Sequence, residues 1–194
     1  MSVLLIAGSP SAPSRSSALL DAVAHRLGQR GVGVQRLAVR DLDAQAVLQA
    51  DFGNASIRRA ADLVAQAQAL VVATPVYKAA YSGVLKAFLD LLPQTALKGK
   101  TVLPLATGGS PHHMLALDYA LRPVLQSLAA RHILPGVYAT DAQVALTPEG
   151  AYQVHPDLAP RLDDAVDALV IEGLRLPVSH GFAPVPFSQV RCSV

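Results

Sequence analysis

The sequence predicts an α/β protein built around a parallel β-sheet of five strands. Short apolar runs alternate with stretches in which apolar residues recur at helical spacing, which is the pattern of repeated βαβ units. The chain has 194 residues, the length of one domain with a full core. Hydrophobic residues make up 52% of it and charged residues only 15%, so we expect part of the apolar surface to be buried in a homodimer or homotetramer.

Five apolar runs are predicted to form the strands. The first is continuous, as expected of a strand that is buried on both faces. The third is predicted to stop at Pro75. The fourth contains Pro104, which conflicts with a central position because proline cannot donate a hydrogen bond to a neighbouring strand. The predicted strands are residues 3–7, 34–39, 69–74, 101–107 and 133–140.

Helices are predicted after the strands, and the first has Leu19, Leu20, Val23 and Leu27 on one face. Residues 40–54 have no helical period and are predicted to be irregular. The predicted helices are residues 16–30, 56–68, 82–92, 113–130 and 157–174. One domain is predicted over residues 1–176, followed by an irregular tail over residues 177–194.

Alternating strands and helices of this number commonly adopt the flavodoxin-like three-layer sandwich, with strand order 2-1-3-4-5. In that order the first, third and fourth strands are neighbours, and the carboxyl ends of parallel strands lie at one edge of the sheet. We therefore expect the loops that follow these three strands to converge on one site.

The loop after the first strand, residues 8–17, has the composition of a phosphate site. It offers hydroxyl groups and one guanidinium just before a helix, whose first N–H groups are unpaired and lie at the positive end of the helix dipole. The polar residues are Ser9, Ser14, Arg15, Ser16 and Ser17. The loop has neither a Gly-Lys-Ser/Thr ending nor a G-x-G-x-x-G pattern, which favours a mononucleotide such as FMN. An ordinary turn that ends in a helix N-cap is the alternative.

The other two loops suit a planar ring. Residues 74–83 supply Tyr77 and Tyr81, and the pair Gly108 and Gly109 lets main-chain N–H groups approach a ring because no Cβ intervenes. None of the three loops contains Asp or Glu, so we expect a site that favours anionic reduced flavin and two-electron chemistry. Lys78 is interpreted either as a solvated lysine or as a cation that favours reduced flavin and the phosphates of NADPH.

Composition argues against several other classes of protein. The net charge is only +2 and Trp is absent, so no nucleic-acid partner is expected. Cys192 is the single cysteine, which excludes an intrachain disulfide, and the adjacent His112 and His113 have no third ligand near them, so no metal site is predicted. No basic leader and no apolar run of membrane-spanning length is present, and we expect a cytoplasmic protein without a membrane partner.

Three stretches together resemble the NADPH-dependent FMN reductase family. They are residues 8–17, residues 74–83 and residues 105–109, and the likeness extends from Val3 to about Asp141. Within the family, the chain is most similar to the reductases that work with alkanesulfonate monooxygenases. Members often carry Arg directly after Gly-Ser-Pro, whereas this chain has Ser11, which removes one cation from the phosphate loop.

The resemblance implies a function and a set of contacts. Hydride would pass from NADPH to FMN, and FMNH2 would leave for a monooxygenase partner, with no obligatory acid or base from the protein. The phosphate contacts implied are Ser9, Ser14, Arg15, Ser16 and Ser17, and the ring contacts are Pro75, Val76, Tyr77, Lys78, Thr107, Gly108 and Gly109. A quinone or azo reductase with permanently bound FMN and a flavodoxin-type electron carrier remain alternatives.

The predicted fourth helix contains an interior proline. Pro123 has no N–H to donate to the carbonyl of Tyr119, so the helix must kink or widen there. The segment 115–125 is similar to the place where the sulfonate-linked reductases carry an inserted tyrosine and a one-residue bulge. The resemblance also implies a subunit interface at this helix, and we hypothesise that Tyr119 modulates catalysis by packing near a flavin across it.

Overall fold

The computed structural model describes residues 2–174. The predicted tail 177–194, which includes Cys192, lies outside the described residues. Within residues 2–174, no helix is both long enough and apolar enough to cross a membrane.

A mainly parallel sheet forms the centre of the protein. The strands are β1 Ser2–Ala7, β2 Gly33–Ala38, β3 Ala69–Tyr77, β4 Ala80–Tyr81, β5 Thr101–Gly108, β6 His132–Ile133, β7 Val137–Thr140, β8 Val144–Leu146 and β9 Tyr152–Val154. The order is β2-β1-β3-β5, and β6 and β7 both pair with the far side of β5. It differs from the predicted order in two details: β4 is an added antiparallel strand beside β3, and the predicted fifth strand, residues 133–140, is two short strands in the same sheet position.

Pro104 lies inside β5 without breaking it. The carbonyl of Val102 accepts a hydrogen bond from the amide of Leu134 (2.9 Å), so the main-chain groups of Val102 point toward the fifth sheet position. Main-chain direction repeats every second residue along a strand, and Pro104 therefore points the same way. The neighbouring chain leaves the sheet there, between β6 and β7, so the missing N–H of Pro104 faces an interruption in the ladder.

Helices cover both faces of the sheet and complete the three layers. Side chains of β1 alternate between two cores, with Leu4 and Ile6 in one and Val3 and Leu5 in the other. The helices are α1 Arg15–Gln29, α2 Ala44–Gln49, α3 Ala55–Gln66, α4 Gly83–Leu89, α5 Arg122–Ser127 and α6 Ala159–Ala168. The first core is closed by α3, α4 and α5, and the second by α1 and α6.

Further stretches also differ from the prediction. The predicted helix 157–174 consists of a 3-10 turn over Pro156–Leu158, α6 and a π-helix over Leu169–Gly173. Residues 40–54 are not irregular throughout, because they contain α2, which is capped at its N-terminus by the Asp43 carboxylate accepting from the amide of Ala46 (2.9 Å). Strand β3 does not stop at Pro75 but continues to Tyr77, since it pairs with β4 in a hairpin and with β5 on its other side. The predicted loop 74–83 is therefore largely extended structure.

The predicted helix 113–130 is divided into three segments. A 3-10 turn over Pro111–Leu115 leads into a π-helix over Leu117–Leu121, and α5 follows. The amide of Arg122 donates to the carbonyl of Leu117, five residues back, just before Pro123. The widened turn expected from the proline is confirmed.

Candidate functional site

The three predicted loops meet in one cleft at the carboxyl edge of the sheet. The cleft has a volume of about 190 Å³. Nine of the predicted cofactor contacts line it: Ser9, Ser14, Arg15, Pro75, Val76, Tyr77, Thr107, Gly108 and Gly109. The sheet register explains the convergence, because the amide of Gly8 donates to the carbonyl of Ala73 (2.7 Å) and Pro75 lies opposite Thr107.

The remaining three predicted contacts do not line the cleft. Ser16 is buried, with 1% of its surface exposed, inside the first turn of α1. Ser17 is engaged with the N-cap, since the hydroxyl of Ser14 donates to its hydroxyl (2.8 Å). Lys78 and Ala79 form the tip of the β3–β4 hairpin, where both have positive φ values, 50° and 64°.

The start of α1 forms a polar wall of the cleft. Ser14 is the N-cap, and its hydroxyl accepts from the amide of Ser17 (3.2 Å). The amides of Arg15 and Ser16 occupy the first two helical positions, so the helix itself offers them no carbonyl. The hydroxyl of Ser9 is next to this turn and accepts from the amide of Ser11 (3.2 Å). Amides, hydroxyls and one guanidinium are the donors that a phosphate monoester requires.

Arg15 is held by a segment that the sequence did not indicate. Its Nε donates to the carbonyl of Val144 (3.1 Å) and lies 3.6 Å from a carboxylate oxygen of Asp141. Its guanidinium carbon lies 5.0 Å from the centre of the Tyr152 ring. The expectation of a site without carboxylates is therefore wrong, because Asp141 follows the fifth sheet position and lines the same cleft.

Gly108 is required by a close approach on the opposite wall. A Cβ at this position would lie 2.7 Å from the hydroxyl oxygen of Tyr138 and 3.3 Å from Cβ of Val76. The Tyr138 hydroxyl donates to the carbonyl of Ser110 (2.6 Å) and so supports the turn after β5. Burial raises the pKa of Tyr138, and the negative charge of Asp141 raises it further. This wall presents main chain and glycine surface, which suits a flat ring.

A larger cavity of about 290 Å³ is lined in part by Pro10 of the loop over residues 8–17. Its walls include Val39, Leu42, Val47 and Val84, and Arg40 is the single charged residue among its lining residues. No serine is among its lining residues, which are mostly apolar, so it suits a phosphate less well than the cleft does.

Four cleft residues were absent from the sequence prediction: Ser11, Pro13, Asp141 and Tyr152. Asp141 follows β7 directly, so the rule that strand carboxyl ends form the site could have indicated it. Tyr152 lies on the β8–β9 hairpin, for which the sequence shows no comparable signal. In residues 2–174, no group of three His, Cys, Asp or Glu side chains could hold a metal ion.

Known proteins with similar sequences are flavin reductases. The profile of a family described as NADPH-dependent FMN reductase matches residues 1–149. An FMN reductase (NADPH) of Pseudomonas putida is 48% identical over 179 residues, covering 91% of this chain and 90% of the relative. One of Escherichia coli is 48% identical over 167 residues, covering 86% and 87%. An NADH-dependent FMN reductase (SfnF) of Pseudomonas putida is 36% identical over 143 residues, covering 71% and 76%.

A solved structure extends this likeness to three dimensions. The apo form of an NADH:FMN oxidoreductase (EMOB) has 42% sequence identity and a TM-score of 0.80, and the match covers 97% of this chain and 99% of that one.

Proposed function

The chain belongs to the NADPH-dependent FMN reductase family and is an NAD(P)H-dependent FMN oxidoreductase, and on that premise we propose that it binds FMN in this cleft and releases FMNH2 to a separate monooxygenase. The observation that carries the proposal is the convergence of the α1 N-terminus, the β3 end and the Gly108–Gly109 turn on one cleft. The donor set at one end matches a phosphate, and the glycine wall matches a ring.

In this proposal, one set of residues binds the phosphate of FMN and another set positions its ring. The Arg15 and Ser16 amides, the hydroxyls of Ser9 and Ser14 and the Arg15 guanidinium bind the phosphate. Main-chain groups at Val76 and Gly108 position the ring. FMN, when bound, supplies the redox chemistry by accepting hydride from the nicotinamide, so no acid or base is required from the protein.

Two features favour FMN as an exchanging substrate over permanently bound FMN. Ser11 stands where family members often have a cation, and Asp141 lies 3.6 Å from Nε of Arg15, the cation that remains in the loop. Both lower the positive charge that faces a phosphate. A weakly held phosphate suits an enzyme that hands its product to a second protein.

We propose an alkanesulfonate monooxygenase as that second protein, because the three loop motifs and the π-helix at Leu117–Leu121 resemble the sulfonate-linked reductases. We also propose NADPH as the preferred donor, as in the names of the two 48%-identical relatives. The names of SfnF and EMOB specify NADH, so both dinucleotides belong in the test.

The test is a spectrophotometric assay of NADPH and NADH oxidation with increasing free FMN. Oxidation that saturates with FMN, and FMNH2 that supports desulfonation by an added alkanesulfonate monooxygenase, are the expected results. Oxidation that requires a quinone, with FMN copurifying in equal amount, would instead identify a quinone reductase. No oxidation with either dinucleotide would leave an electron carrier.

A further inference from the structure

We propose that Tyr152 and Asp141 set how tightly the cleft holds the phosphate of FMN, and that both act through Arg15. Tyr152 holds the guanidinium at the cleft wall, and Asp141 offsets part of its charge. Both are positioning residues outside the three loops that carry the family resemblance. The inference rests on the proposed function, because it takes FMN as the ligand of the cleft.

Two contacts fix the orientation of the Arg15 side chain. Nε donates to the carbonyl of Val144, and the guanidinium lies over the face of Tyr152 at 5.0 Å, which is a cation–π contact. A guanidinium has five N–H donors. In the described part of the chain, the hydrogen bond and the ion pair of Arg15 both involve Nε. The two terminal amino groups are therefore available to an anion in the cleft.

The platform beneath Arg15 is well fixed. Tyr152 pairs with Leu146 in the β8–β9 hairpin, and Val144 at the start of that hairpin is fully buried. The amide of His155 donates to the carbonyl of Gln143 (2.8 Å), which closes the hairpin at its base. An arginine resting on a fixed ring loses less conformational freedom when it binds an anion than one in solvent.

Asp141 is placed so that it should weaken phosphate binding, whereas Tyr152 should strengthen it. Its amide donates to the carbonyl of Gly108 (3.1 Å), which anchors it to β5 beside the glycine wall. Its carboxylate lines the cleft and pairs with Arg15 at 3.6 Å. A phosphate bound there would meet a cation whose charge is already partly offset, and it would also lie near a second negative group.

Because the two effects have opposite signs, dissociation constants for FMN and riboflavin separate them. Riboflavin has the same ring without the phosphate. We expect Tyr152→Ala to raise the Kd for FMN about threefold to tenfold, as loss of a partly exposed cation–π contact should. Tyr152→Phe keeps the ring and should behave as the wild type. Asp141→Asn should lower the Kd for FMN about twofold to fivefold, the range of an exposed ion pair.

Riboflavin is the internal control, and its Kd should stay unchanged in all three variants. Asp163→Asn is the matched control. It removes a carboxylate on α6 that pairs with Arg26 (2.9 Å), which lies on the same helix as Arg15 but away from the cleft. This variant should change neither the Kd for FMN nor the Kd for riboflavin. Both constants are measured by quenching of flavin fluorescence.

The inference would be overturned by an equal change for riboflavin, by weaker FMN binding in Asp141→Asn, or by no change in FMN binding in Tyr152→Ala and Asp141→Asn. Equal affinity of the wild type for both flavins would also overturn it while leaving flavin reduction intact. Conversely, a wild type that binds FMN but oxidises neither NADPH nor NADH would refute the proposed function. The comparison of FMN and riboflavin binding would then still test the roles of Tyr152 and Asp141.

Discussion

The hydroxyl of Ser82 donates to the carbonyl of Gly8, which ties the loop over residues 8–17 to the start of α4. The same hydroxyl accepts from the amide of Leu85 (3.3 Å) as the N-cap of α4. The amide of Ser82 donates in turn to the hydroxyl of Thr74 (3.0 Å) at the end of β3. Buried Ser82 therefore joins the loop over residues 8–17 to the end of β3, which are two of the three segments that form the cleft.

Ser82→Ala should lower the free energy of unfolding by about 1–2 kcal/mol, because it removes a helix cap and leaves a buried carbonyl unpaired. The measurement is urea unfolding followed by circular dichroism. Ser127→Ala is the control, since the exposed Ser127 hydroxyl donates only to the carbonyl of Val124 on α5. Its expected change is within about 0.5 kcal/mol. Equal unfolding midpoints for Ser82→Ala and the wild type would contradict this role.

Ser14→Ala should weaken both the helix and the ligand site. Loss of an N-cap costs about 1 kcal/mol of stability. The Ser14 hydroxyl should turn its proton from Ser17 to a bound phosphate, so its loss should also raise the Kd for FMN about tenfold. Asn54→Ala is a matched control, because Asn54 caps α3 by accepting from the amide of Ser56 (2.8 Å) away from the cleft. It should show the stability loss without the change in Kd, and parallel losses of FMN affinity would argue against a phosphate contact at Ser14.

Gly108→Ala should be destabilising by about 1–3 kcal/mol through overpacking, because its Cβ would lie 2.7 Å from the Tyr138 hydroxyl oxygen. Gly109→Ala should be tolerated, since the atom closest to its Cβ is a carboxylate oxygen of Asp141 at an ordinary 3.7 Å. Thermal unfolding of both variants is the measurement. Adding Tyr138→Phe should recover part of the Gly108→Ala loss, and a purely additive double variant would refute the proposed clash.

Stability at alkaline pH should depend on Tyr138. Burial, and then Asp141, raise the pKa of Tyr138 above its ordinary 10.0, so folding favours the neutral phenol. That contribution is complete below pH 10.0 and is lost as the pH rises through the pKa of the folded state. Tyr138→Phe should flatten this alkaline loss in urea titrations, and adding Tyr81→Phe should flatten it further because burial also raises the pKa of Tyr81. Identical pH profiles for wild type and the double variant would contradict the assignment.

Tyr119→Ala tests the hypothesis that Tyr119 packs near a flavin across a subunit interface. The side chain is 80% exposed in the single chain, so its removal should change the unfolding free energy of the folded chain by no more than about 0.5 kcal/mol. The expected changes are in oligomeric state by light scattering and in turnover. Unchanged oligomeric state, FMN affinity and turnover would remove the hypothesis, and Leu48→Ala, equally exposed on α2, is the control.

The sheet and the location of the site could be predicted because they depend on local signals. Apolar runs and the 2-1-3-4-5 order place the loops after residues 7, 74 and 107 at one edge without any knowledge of side-chain contacts. The π-helix could be predicted for a similar reason, since the missing N–H of Pro123 acts within its own helix.

The contacts of Arg15 could not be predicted, because they join residues far apart in the chain; Arg15 and Val144 are 129 positions apart. The sequence near Tyr152 carries no motif, and a three-residue strand is too short for its periodicity to be recognised. The extension of β3 through Pro75 was missed for a different reason. A proline usually ends a central strand, but here pairing on both sides, with β4 and with β5, continues the extended conformation.

The interruption between β6 and β7 also affects how the sheet meets other chains. An outermost strand exposes a row of main-chain donors and acceptors on which a foreign strand can assemble. Within residues 2–174, the border beside β5 consists of a two-residue strand and a four-residue strand, separated by a segment that contains Pro135, which has no N–H. Short strands and a proline disfavour intermolecular pairing along this border. The interruption that accommodates Pro104 thus also makes this side of the sheet a poor template for a foreign strand.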